Sequence, residues 1–137
     1  MIRAAIDTNA LVSGLLSPSG NEALIVLAIH QGLIRPCLSE GILQEYAEAL
    51  ARPKFAFPPD EVAALLAMLQ RTGEPIRPEG PPPTLPDPGD IKFLHCAQAA
   101  GAEHIVAGNK RHFPQTFDGP PRVANAGELL DRITLEI

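Results

Sequence analysis

Asp7, Glu45, Asp90 and Asn109 have side-chain types and positions that could serve hard-cation chemistry. Asp7 follows the apolar run Ile2 to Ile6, and Thr8 and Asn9 come straight after it. A carboxylate at the end of a buried strand needs a proton, a hydrogen-bonding partner or a cation, because a lone buried charge is costly. Glu45 lies in "EGILQEYAEALAR", Asp90 opens "DIKFLHCAQAAG", and Asn109 follows "HIVAG". If the three acids converge, they need a counter-charge. Oxygen-only ligands select Mg²⁺ or Mn²⁺, which can activate water and stabilise charge on a phosphate during hydrolysis. The histidines at 30, 95, 104 and 112 are scattered, and Cys37 and Cys96 show no zinc-ligand spacing.

Each acid also has a reading without chemistry. The apolar stripe expected for the Glu45 helix is Leu43, Tyr46, Ala47 and Leu50, which leaves Glu45 off its centre at about 100° per residue. That pattern favours a solvated glutamate, although the small Gly41 and Ala49 on either side would let another element approach. Asp87 as N-cap and Asp90 at the third helical position would complement a helix dipole. Asp7-Thr8-Asn9 is not an obvious turn, and an Asx-type turn is its alternative.

The elements that must position these residues alternate. Ile2 to Ile6 reads as a strand. Ser19 and Glu22 form a capping box before "ALIVLAIHQ", a helix stopped at Gly32 and apolar almost all round, which suits a core position or a dimer surface. Leu33 to Leu38 reads as a strand despite Pro36, and Ser39 caps the Glu45 helix, which Pro53 ends. "FPPDEVAALLAMLQRTG" is a helix stopped by Gly73, and residues 78–88, "PEGPPPTLPDP", are a stiff connector. The helix from Asp87 to Gly101, the strand "HIVAG", the strand "RVAN" and a helix capped by Asn125 and Glu128 complete the chain. This order predicts an α/β fold with a parallel sheet covered by helices on both faces, and such sheets bind ligands beyond the carboxyl ends of their strands.

Composition narrows the function. The 137 residues fit one domain over 1–137, and 45% hydrophobic with 20% charged residues is an ordinary soluble composition. No apolar run reaches the roughly 18 residues of a membrane span, and the N-terminus lacks a signal-peptide pattern. With no disulfide framework, a cytoplasmic setting is expected. The net charge of −5 argues against wrapping duplex DNA, and 4% aromatics against a base-stacking platform.

"IDTNALVSGLLSPSG", "LSEGILQEYAEALARPKF" and "DPGDIKFLHCAQAAGAEHIVAGNKRHFP", in this order, resemble the PIN-domain nucleases. More narrowly they resemble the VapC-like toxins of prokaryotic toxin–antitoxin pairs. The resemblance implies a three-layer α/β/α sandwich with a mainly parallel sheet, a metal-dependent endoribonuclease using Mg²⁺ or Mn²⁺, an RNA substrate, an antitoxin partner and a homodimer. It makes Asp7, Glu45 and Asp90 the metal ligands, with Asn109 orienting water or an outer ligand. Asn109 stands where many relatives have a fourth acid. Arg111 and Ile91 also stand where some relatives are acidic. Asn109 keeps an oxygen and loses a charge, so the site would hold one divalent ion, and a second only if the substrate phosphate or Asp87 contributes. Thr8, Asn9, Ser13 and Asp87 would support the ligands or touch phosphate. Lys110, Arg111 and His112, with Lys92 from the neighbouring helix, would meet the RNA backbone, and a solvated loop is the alternative. An antitoxin would insert a peptide near the acids, with an arginine reaching them. Two other classes stand beside this one. One is a PIN-fold RNA- or protein-binding module with a weakened site. The other is phosphoryl transfer through an aspartate nucleophile, which usually needs a second acid where Asn9 stands.

Overall fold

The computed structural model describes residues 1–136, apart from the side chains of His112, Leu135 and Glu136. Its centre is β1 (Ile2–Ile6), an apolar strand buried almost throughout. β1 pairs in parallel with β2 (Ile34–Leu38) on one side and β4 (His104–Val106) on the other. The short β3 (Glu74–Pro75) and β5 (Arg122–Ala124) form the edges, giving a five-stranded sheet in the order β3-β2-β1-β4-β5. All pairs are parallel, so each connection crosses over through helices, which cover the faces and account for the continuous apolar strands. The result is the expected α/β sandwich of the PIN type, with α1 (Thr8–Leu16), α2 (Asn21–His30), α3 (Glu40–Leu50), α4 (Pro59–Thr72), α5 (Ile91–Ala100) and α6 (Ala126–Glu136) around the sheet.

Several local signals act as read. Ser39 Oγ accepts from the Ile42 amide at 3.3 Å, and Asn125 and Glu128 cap α6 reciprocally at 2.8 and 3.1 Å. Gly32 and Gly101 take the positive φ angles, 81° and 67°, that end helices. Between α4 and α5, the proline-rich residues 78–87 carry neither helix nor strand.

Other expectations are corrected. The Ser19–Glu22 capping box does not form, because α2 begins at Asn21 and its N-cap is Gly20. α1 and β3 are additional elements, β3 being held by the Ile76 amide on the Leu38 carbonyl at 2.7 Å. The buried face of α3 is Ile42, Tyr46, Ala49 and Leu50, whereas Ala47 is exposed and Leu43 half-buried. Glu45 stands three residues from Ile42 and four from Ala49, so it borders the buried face. α2 buries Ile25, Ala28 and Ile29 but leaves Leu24 and Leu27 each 47% exposed.

No single described helix is long and apolar enough to cross a membrane. The pair α1 and α2 has the combined apolar length but bends by 101°, and both helices contribute to the core.

An ion pair braces one side of the sheet, from β1 to the β3 edge. Arg3 on β1 reaches Glu74 on β3 with two 2.8 Å hydrogen bonds, and the same guanidinium donates to the Ala100 carbonyl at the end of α5.

Candidate active site

The strand order reverses between β1 and β4, and the crevice beyond their carboxyl ends is where ligands of such sheets bind. Asp7 stands at this point. Its Oδ1 accepts from the Ala10 amide at 2.8 Å, which makes it the N-cap of α1, and from the Gly108 amide after β4 at 3.4 Å. Asp7 therefore has a structural duty that the sequence reading left to a turn. Gly108 permits the approach, since a Cβ there would lie 3.1 Å from Asn9 and Ala10. Asp7 is only 7% exposed, and burial pushes its carboxyl above the usual range. The amides of Ala10, Gly108 and Asn9 pull it back in part, and the charge of Glu45 adds to the rise.

Tyr46 brings Glu45 to this crevice. Its buried hydroxyl donates to the carbonyl of Ile6, the last residue of β1, and its ring lies 6.4 Å from that of Phe93 on α5. One side chain thus locates α3 against the strand that ends in Asp7 and against the helix that Asp90 opens. The sequence reading placed Tyr46 in a stripe and missed this role. The available signal was a lone tyrosine next to the candidate glutamate, because a buried tyrosine hydroxyl needs a partner. Glu45 Oε2 accepts from the Thr8 hydroxyl, and Oε1 lies 3.0 Å from Lys92 Nζ. Thr8 and Lys92 are therefore both partners of Glu45.

Asp90 ends a 3-10 turn, Pro88–Asp90, that leads into α5. Asp87 caps this turn, accepting from the Gly89 amide at 2.8 Å. Asp90 makes no capping hydrogen bond, so the helix-cap account covers Asp87 and not Asp90. Burial first, then the charges of Asp87, Asp7 and Glu45, push its carboxyl up to about 6. After burial, the repulsion of these neighbouring carboxylates is what holds the proton on Asp90.

The other sequence candidates lie further out or have other work. Asn109 is exposed, and its Oδ1 accepts from the Arg111 amide at 2.9 Å, capping the 3-10 turn Lys110–His112. Lys110 Nζ is held by Glu128 of α6 at 3.1 Å. Arg111 is exposed, and the side chain of His112 is outside the described residues. Asn9 is exposed and supplies its amide to Asp7, while Ser13 is half-buried one turn along α1.

Carboxylate oxygens suit a hard divalent ion, and the charges of Asp87, Asp7 and Glu45 that act on Asp90 would favour one. Among the described residues, however, no three His, Cys, Asp or Glu side chains are already placed to hold a metal together. Both carboxylate oxygens of Glu45 already have partners, in Thr8 and Lys92.

A family model for the PIN domain matches residues 3–111, and the chain belongs to that family. Membership points to nuclease-type function in general and to divalent metal ions as the typical cofactor. Comparison with curated proteins and with solved structures gave no match.

Proposed function

We propose that this PIN-domain chain is a metal-dependent endoribonuclease acting as the toxin of a toxin–antitoxin pair. What supports the reading is Asp7 at the sheet's switch point, with Glu45 and Asp90, from two other elements, near enough for their charges to act on it or on one another. Asp7, Glu45 and Asp90 would hold Mg²⁺ or Mn²⁺, which supplies an activated water and offsets the charge that gathers on the phosphate. Asp7 is fixed for this by the Ala10 and Gly108 amides, and Asp90 by the turn that Asp87 caps. Glu45 would exchange its Lys92 partner for the ion, which turns the Lys92 ammonium toward the incoming phosphate. Asn109 supports the turn that follows β4 and leaves the site with three acids. The exposed leucines of α2, Leu24 and Leu27, support a homodimer, and an antitoxin protein is the partner the toxin role requires.

A second reading has support from the engaged state of Glu45 and from Asn109, namely a PIN-fold module that binds RNA or protein without cutting it. The test is incubation of a mixed-sequence RNA with the protein in Mn²⁺, Mg²⁺ or EDTA, beside Asp90→Asn. Cleavage that EDTA and the substitution both remove supports the nuclease. Intact RNA in every arm, with the protein folded and free of partners, supports the binding module.

A further inference from the structure

A groove of about 770 Å³ opens at the carboxyl ends of β2 and β3, on the same edge of the sheet as the acids. It lies between the first turn of α3, the residues that follow β3 and the first half of α5. Lys92 joins it to the candidate active site, because its side chain lines the groove while its Nζ sits on Glu45. Leu43 and Ile76 give the groove apolar walls, and Gln70 adds an amide that can both donate and accept. Arg77 also lines it and has no ion-pair partner among the described residues. Glu40 is the acid among the lining residues, against Arg77 and Lys92. Lys92 is already paired with Glu45, so Arg77 is the cation of this lining left to take a phosphate.

We propose that this groove binds one nucleotide of the RNA strand, adjacent to the phosphate that is cut. This deepens the nuclease reading and rests on it. The base lies against Leu43 and Ile76, where Gln70 can reach its edge, and its phosphate faces Arg77. A volume of this size accepts a nucleotide, with apolar walls for affinity and few polar groups for orientation. The groove therefore sets which nucleotide is tolerated beside the cleavage point.

Gly41 allows a direct test. It lines the groove, it is exposed in the first turn of α3, and a Cβ there would meet nothing within 4 Å. Gly41→Phe places a ring in the groove without backbone strain, and Gly41→Ala is the control. The probe is a fluorescein-labelled, mixed-sequence, single-stranded RNA of twelve nucleotides, followed by anisotropy with Ca²⁺ in place of Mn²⁺. Gly41→Phe weakens RNA binding at least tenfold, whereas Gly41→Ala and calorimetric Mn²⁺ binding stay at wild-type levels. Independently, Arg77→Ala lowers the slope of log affinity against log salt by about 0.7, one single-strand phosphate contact. If both Gly41→Phe and Arg77→Ala bind RNA as the wild type does while the wild type still cleaves it, the groove assignment falls and the nuclease reading stands. If the wild type neither binds nor cleaves RNA, both fall. Loss of a protein partner on Gly41→Phe, with RNA affinity unchanged, assigns the groove to that partner and overturns the proposal.

Discussion

Asp90 exposes the cost of the gathered acids, and Asp90→Asn measures it. Burial and the charges of Asp87, Asp7 and Glu45 raise its carboxyl from 3.8 to about 6. Two pKa units at about 1.36 kcal/mol each set a ceiling of about 3 kcal/mol. Asp90 keeps contact with solvent, which screens the repulsion, so a net effect of about 1 kcal/mol is expected. The sign follows from proton linkage, since the folded protein holds this proton more tightly than the unfolded chain. Below about pH 4 the carboxyl is protonated in both states and the penalty is absent. As pH rises through about 6 the folded protein must ionise it, and stability is lost. In EDTA at pH 7.5, Asp90→Asn therefore melts about 3–4 °C above the wild type, and near pH 4 the difference closes. Millimolar Mn²⁺ raises the wild-type melting temperature by preferential binding to the folded state and raises the variant's by less. Equal melting temperatures at pH 7.5 in EDTA, or an equal gain from Mn²⁺, would refute the reasoning that a cation is what these acids lack.

Tyr46→Phe leaves the buried Ile6 carbonyl without its hydroxyl donor, at a cost of about 1–3 kcal/mol in urea unfolding. It also loosens α3 against β1, so Mn²⁺ affinity falls in calorimetry. A stability change under about 0.5 kcal/mol would show that the hydroxyl does not hold α3. Glu74→Gln breaks the fork with Arg3, whose guanidinium holds the Glu74 carboxyl below its usual range. That contribution is present above the unfolded glutamate value of 4.5 and lost as pH falls through the lower folded one. The substitution costs about 1 kcal/mol at pH 7, modest because both side chains meet solvent. A loss as large at pH 3 as at pH 7 would rule out the ion pair as its cause.

The strands were legible because a parallel sheet buried on both faces writes its strands as continuous apolar runs, as in Ile2–Ile6 and "HIVAG". α1 was not, because Gly14 interrupts its pattern and Asp7-Thr8-Asn9 was weighed as a ligand stretch or an Asx-type turn, not as a helix start. Gly14 has a tertiary reason, since a Cβ would lie 3.0 Å from the Glu22 carbonyl and 3.2 Å from Val26 at the crossing with α2. β3 has two residues, too few to show a period. At the site, the chain positions of Asp7, Glu45 and Asp90 could be read from motif order, but their partners could not. Nothing in "EGILQEYAEAL" tells that Thr8 and Lys92 will take the two oxygens of Glu45, because both come from elements distant in sequence.

Those partners bear on how many ions the proposed site can hold. Asp7, Glu45 and Asp90 supply three negative charges when ionised. Asp87 is occupied with capping, and Asn109 contributes none. Lys92 offsets one of the three, which leaves the charge that a single divalent ion neutralises. A second divalent ion would bring an excess of two positive charges and would need the substrate's phosphate to balance it. Lys92 can then be seen as a tethered cation beside the ligand Glu45, present before any ion arrives and close to the phosphate afterwards. On the proposed reading its ammonium would supply charge beside Glu45 that a further metal would otherwise bring. Replacing Asn109 with Asp alone therefore adds a negative charge at a side chain that caps the Lys110–His112 turn, while Lys92 remains the partner of Glu45 until an ion replaces it.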